Sequence, residues 1–103
     1  MERVPSLGQL VISCAGRDRG RPMVVLRADG TRFVWVSDGD VRPVARAKRK
    51  NVRHVELRRP VWETVASGRV PADAELRGWL AAAMEQDGPF GTEPGGDEGE
   101  VDA

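Results

Sequence analysis

Along the first sixty residues, apolar positions come in short valine- and isoleucine-rich runs separated by glycine, proline or aspartate. Short β-branched runs bounded by turn residues predict strands rather than helices. The first is expected over Gly8 to Ser13, the second over about Met23 to Arg27 and the third over Arg32 to Ser37. Between the last two lies Asp29-Gly30, the dipeptide favoured by a two-residue type I′ hairpin, in which both central positions need φ > 0. In that register Ala28 opposes Thr31, Arg27 opposes Arg32, Leu26 opposes Phe33 and Val24 opposes Trp35. One face then carries Val24, Leu26, Phe33 and Trp35. The other carries Met23, Val25, Val34 and Val36, with the Arg27 and Arg32 pair at its end. Both faces are apolar, so a second layer must cover the sheet. Asp38-Gly39 signals another hairpin that returns the chain through Val41 and Arg42 until Pro43. Val52, Val55 and Leu57 suggest a closing strand, Val52 to Leu57, completing a five-stranded barrel.

After Arg59-Pro60 the period changes. Pro60 can serve as a first helical residue, Val61, Trp62 and Val65 recur at helical spacing, and Gly68 is placed to stop a short helix. Asp73 can cap a second helix running to about Gln86, on which Leu76, Trp79, Leu80, Ala83 and Met84 form one stripe. Gly78 costs this helix about 1 kcal/mol relative to Ala, so the helix needs docking, and the second apolar face of the sheet is the expected dock. From Asp87 the chain reads DGPFGTEPGGDEGEVDA, too poor in hydrophobes to offset its ordering entropy. The expected architecture is mainly β: a barrel over residues 1–59, two short helices over 60–86 and a disordered acidic tail over 87–103.

At 103 residues, with seven prolines and twelve glycines, the chain fits one small domain with appendages, which disfavours a large catalytic cleft. One cysteine rules out an intrachain disulfide, and no apolar run suits a signal peptide or membrane span, so the cytoplasm is the default compartment. Cys14 reads as a core or loop-edge residue. His54 is the single histidine, so neither a zinc cluster nor a nucleophile with its base can be assembled. No loop ends in the Gly-Lys-Ser/Thr of a P-loop, and no carboxylate cluster is placed to hold Mg²⁺. The expectation is a protein that is not an enzyme and uses no metal, cofactor or small-molecule substrate.

Charge changes the picture more than composition does. Residues 1–60 hold fourteen Arg and Lys against six Asp and Glu, or +8, while residues 61–103 hold two against ten, or −8. Such asymmetry suggests a polyanion-binding body joined to an acidic appendage, which reads first as a solubilising tail and, as a hypothesis from the opposite charges, as a cover for the basic loops that competes with weakly bound nucleic acid. Two segments concentrate the positive charge. Gly16, Arg17, Asp18, Arg19, Gly20 and Arg21 place three guanidinium groups in one connection bracketed by glycines. Arg42 leads into RAKRKNVR, with Arg46, Lys48, Arg49, Lys50 and Arg53 and no acid among them. Arginine's fork of donors matches phosphate oxygens, and each neutralised phosphate releases counterion. Base reading looks weak, because Tyr is absent and Trp35, the one body aromatic suited to stacking, reads as core.

The segment GQLVISCAGRDRGRPMVVL resembles a KOW motif, with Gly16 where that motif has its central glycine. The likeness continues through VSDGDVRPVARAKRKNVRHVEL and VPADAELRGWL, spanning about Leu7 to Gln86. It is similar to the bacterial KOW-domain proteins related to the KOW-bearing large-subunit ribosomal proteins of archaea and eukaryotes. That resemblance implies an SH3-like barrel and RNA as partner, ribosomal RNA above all, with ribosomal proteins as further partners. It implies RNA contacts at the loop of Gly16 and Gly20. KOW segments also occur in transcription elongation factors, so the resemblance does not name the RNA. A second reading is a protein-interaction adaptor that docks a partner on Trp79, Leu80 and Trp62 while the basic loops orient the encounter.

Overall fold

The structure, a computed structural model, describes residues 4–87. Five strands, β1 (Gln9–Ser13), β2 (Pro22–Ala28), β3 (Phe33–Ser37), β4 (Lys48–Asn51) and β5 (Val55–Val61), form one sheet in the order β4-β3-β2-β1-β5. All neighbours are antiparallel. Helix α1 (Glu63–Ala66) is a single turn, and α2 (Asp73–Asp87) is the long C-terminal helix.

The alternation along β1 to β3 builds two cores. Val11, Met23, Val25, Val34 and Val36 join Val52 and Val55 on one side of the sheet. Leu10 and Val24 point the other way and meet Leu76, Leu80 and Ala83 of α2. The helix thereby supplies the cover that two-sided strands require. Its partly buried margin includes Trp62 and Trp79, whose rings stack at 5.4 Å between centroids.

The β2–β3 connection differs from the expected two-residue turn. The Asp29 amide donates to the Phe33 carbonyl at 3.1 Å, and Asp29 Oδ1 accepts from the amides of Thr31, Arg32 and Phe33 at 2.9, 3.0 and 3.1 Å. One carboxylate satisfying three amides favours a longer loop than the dipeptide signal alone indicates. Those bonds hold the Asp29 carboxyl at about 2 against an ordinary 3.8. Because the folded value is depressed, the contribution is complete above the ordinary value and is lost as pH falls through about 2. Hydrogen exchange at the Thr31, Arg32 and Phe33 amides is expected to accelerate over that acidic window. Unchanged protection down to the lower value would remove this account of the loop.

The longer loop shifts the register. Val25 pairs with Val36, but Arg27 pairs with Trp35 and Ala28 with Val34, with a bulge between Val25 and Arg27. The expected Arg27 and Arg32 pair therefore does not form. The bulge also moves Arg27 from the Val25 face to the Trp35 face, where its guanidinium lies 4.4 Å from the ring centroid.

Three further expectations are corrected downstream. Val41 and Arg42 form no strand: Asp38 Oδ1 accepts from the Asp40 and Arg42 amides at 2.9 and 2.8 Å, curling the chain before Pro43. The fourth strand is instead Lys48–Asn51, inside the basic run. Val52–His54 is a 3-10 turn, so the last strand starts at Val55 and continues through Pro60 to Val61. Proline, lacking an amide donor, is tolerated there because β5 is an edge strand. Pro60 therefore belongs to the sheet, and helix begins only at Glu63.

Gly8 ties three parts of the fold together. Its amide donates to the Val25 carbonyl at 2.7 Å, and its carbonyl accepts from the Trp62 amide at 2.8 Å. Its φ is 83°, and an added Cβ would stand 2.4 Å from the Trp62 carbonyl oxygen. At the start of α2, Glu75 reaches back to the Ala72 amide at 2.9 Å. Asp73, the expected cap, accepts instead from the Val44 amide at 2.7 Å, and Arg77 donates to the Gly39 carbonyl at 2.7 Å. The helix is thus pinned to the segment that leads into β4. The acidic-tail expectation falls on residues 88–103, outside the described residues, while Asp87 itself ends α2.

Candidate nucleic-acid interface

The connection from β1 to β2 is a compact loop built on its two glycines. Gly16 and Gly20 have φ of 76° and 85°, conformations costly for any residue with a Cβ. Gly16–Asp18 forms one 3-10 turn, the Gly20 amide donates to the Ser13 carbonyl at 2.7 Å, and the Ser13 amide to the Arg21 carbonyl at 3.0 Å. This geometry leaves Arg17 and Arg19 exposed and turns Asp18 inward, where it is 2% exposed.

Three contacts draw the second basic segment against this loop. Arg42 Nε donates to Asp18 Oδ2 at 3.1 Å. Arg21 Nη1 donates to Asp38 Oδ2 at 3.1 Å, while its buried Nε lies 3.9 Å from Asp18 Oδ1. Lys50 Nζ donates to the Ala15 carbonyl at 2.8 Å. Burial pulls the Lys50 ammonium below its ordinary value, with Asp18 opposing the shift. Residues 15–21 and 38–50 thus meet at one end of the sheet.

The same contacts sort the nine candidate cations by role. Arg21 and Arg42 are held by buried carboxylates, and Lys50, 7% exposed, spends its ammonium on the loop backbone. Those three anchor the two segments to each other, and Arg21 and Arg42 keep 38% and 28% of their side chains exposed while doing so. Arg17, Arg19, Arg46 and Lys48 lie exposed around it, and Arg53 is exposed on the turn after β4. Arg49 is exposed too, yet strand alternation puts it on the other face: it pairs with Trp35, whereas Lys48 and Lys50 pair with Val36 and Val34. Its guanidinium lies 4.6 Å from the Phe33 ring centroid. Neither a protein-family model nor any curated protein matches the sequence.

Around the site, Cys14 lies exposed at the loop edge and its amide donates to the His54 carbonyl at 2.8 Å. Local burial, then Glu56, push its thiol up, which keeps it protonated and poorly nucleophilic. His54 is exposed on the same turn as Arg53. Among the described residues, no group of three His, Cys, Asp or Glu is placed to hold a metal ion, and no helix is long and apolar enough to cross a membrane.

Two contributors escape the sequence pattern. Asp18 and Asp38 hold the basic segments together, but each reads as an ordinary loop acid. Arg27 joins the exposed cations over an aromatic ring only because of the bulge. The register-setting Asp29 loop was the one local signal for it.

Proposed function

We propose that this protein is a non-enzymatic RNA-binding protein of the ribosome or its assembly, built as an SH3-like KOW barrel that grips RNA phosphates with its two basic segments. The observation that carries this reading is the junction of those segments. Asp18, Asp38 and the Ala15 carbonyl engage Arg21, Arg42 and Lys50, and so join the two segments that carry the exposed Arg17, Arg19, Arg46 and Lys48. A preorganised cluster of exposed cations loses little side-chain freedom when it meets a polyanion, and counterion release drives the contact. The positive-φ glycines let the loop backbone approach RNA closely.

The adaptor reading has less support. Leu80 is buried against the sheet and Trp79 is stacked on Trp62, so the stripe it would offer a partner is occupied within the fold.

Crosslinking in cells followed by sequencing of the attached RNA tests the assignment. Enrichment of ribosomal RNA, or of its precursors, is the expected result. Recovery of protein partners with no RNA above background would overturn it in favour of the adaptor.

A further inference from the structure

The face of the sheet that carries α2 is only partly covered. The helix packs on Leu10 and Val24 of β1 and β2, while Phe33 and Trp35 of β3 stay half-buried and Arg49 of β4 exposed. There the register sets Arg27, Trp35 and Arg49 side by side across three strands, with Phe33 next to Trp35 on the same face and opposite Asn51. The guanidinium of Arg27 lies over Trp35 at 4.4 Å and that of Arg49 over Phe33 at 4.6 Å. Both arginines are exposed, both rings are half-buried, and among the described residues no carboxylate pairs with either cation.

Cation and ring thus alternate along a strip. Strands stand about 4.8 Å apart, so three of them span roughly 10 Å, the length of about three stacked bases at roughly 3.4 Å each. A guanidinium resting on a ring keeps its outer face and its N–H fork open, the first for a base, the second for phosphate. Duplex RNA keeps its base faces stacked internally, so only unpaired nucleotides can use such a strip.

We infer that the strip of Arg27, Trp35, Arg49 and Phe33 binds an unpaired stretch of RNA by stacking, separately from the phosphate-gripping loops at the end of the sheet. This rests on the RNA-binding reading above and specifies the class of RNA: a folded element flanked by single-stranded nucleotides. It also revises the expectation that Trp35 is core.

The test uses the full-length protein with two probes, a short oligoadenylate and an RNA duplex, in one buffer. The double variant Arg27→Lys and Arg49→Lys keeps the charge but removes the planar cations, and Trp35→Leu keeps apolar cover but removes the ring. Each is expected to lower oligoadenylate affinity about tenfold and to leave duplex affinity within about twofold. Unchanged oligoadenylate affinity in both variants would overturn the inference, as would an equal fall for both probes. Wild-type protein that binds duplex alone would overturn it while leaving the RNA-binding reading intact. Wild-type protein that binds neither probe would remove both.

Discussion

Replacing Arg58 with Ala is expected to destabilise the domain by about 3 to 5 kcal/mol, the usual cost of stripping one partner from a buried ion pair. The Arg58 side chain is 3% exposed and donates at 2.7 Å to Asp87 Oδ2 and to Glu56 Oε2. Burial weakens the guanidinium's hold on its proton, but the hydrogen bonds it donates to the two carboxylates outweigh that and leave its value raised. Asp87 is 8% exposed, so losing Arg58 leaves its carboxylate buried without that cation. Glu56 is 50% exposed and can turn to water, so Glu56→Ala is expected to cost below about 1 kcal/mol. Denaturant midpoints of the two variants check the contrast, and equal losses would contradict it. Because Asp87 clamps α2 onto β5, a truncation that asks whether the acidic tail competes with RNA belongs after Asp87.

Leu76→Ala is the second large effect, at about 2 to 5 kcal/mol. Leu76 is fully buried in the cluster that joins α2 to Leu10 and Val24. The surrounding strands are pinned by Gly8 and by the sheet ladder, so the space it leaves cannot easily collapse. Gly78 already weakens the helix by about 1 kcal/mol, so α2 has little intrinsic stability to fall back on. Losing that contact is expected to unfold the helix and sheet in one transition, seen as coincident helical and tryptophan signals. A helix signal lost well before the sheet would show that the two layers are not one cooperative unit.

The parts of this fold that the sequence makes legible are those set by local period. Val11, Val24, Val34 and their neighbours announce two-sided strands, and Leu76 to Met84 announce a helix that needs a dock. What stays hidden depends on contacts distant in sequence. RAKRKN reads as a solvated loop because charge dominates it. It becomes a strand because β3 offers a free edge and the Ala15 carbonyl receives the Lys50 head. Likewise the pairing of Arg21 and Arg42 with Asp38 and Asp18, residues 17 and 24 positions away, is invisible to any local pattern. Arg27 changes face through one bulge, a shift that no alternation rule contains. Of the candidate site, the loop of Gly16 to Gly20 and the basic run after Arg42 could be read directly, whereas the strand within that run and the aromatic strip could not.

In the proposed function Arg17 and Arg19 act as phosphate ligands on a loop that other residues hold in place. Both are exposed, so exchanging them for Ala should leave stability within about 0.5 kcal/mol. The most direct test is the slope of log affinity for RNA against log salt concentration, measured for the wild-type protein and for Arg17→Ala with Arg19→Ala. The predicted result is weaker binding with a slope shallower by about 1.5 to 2. A folded double variant with the wild-type slope and affinity would contradict it.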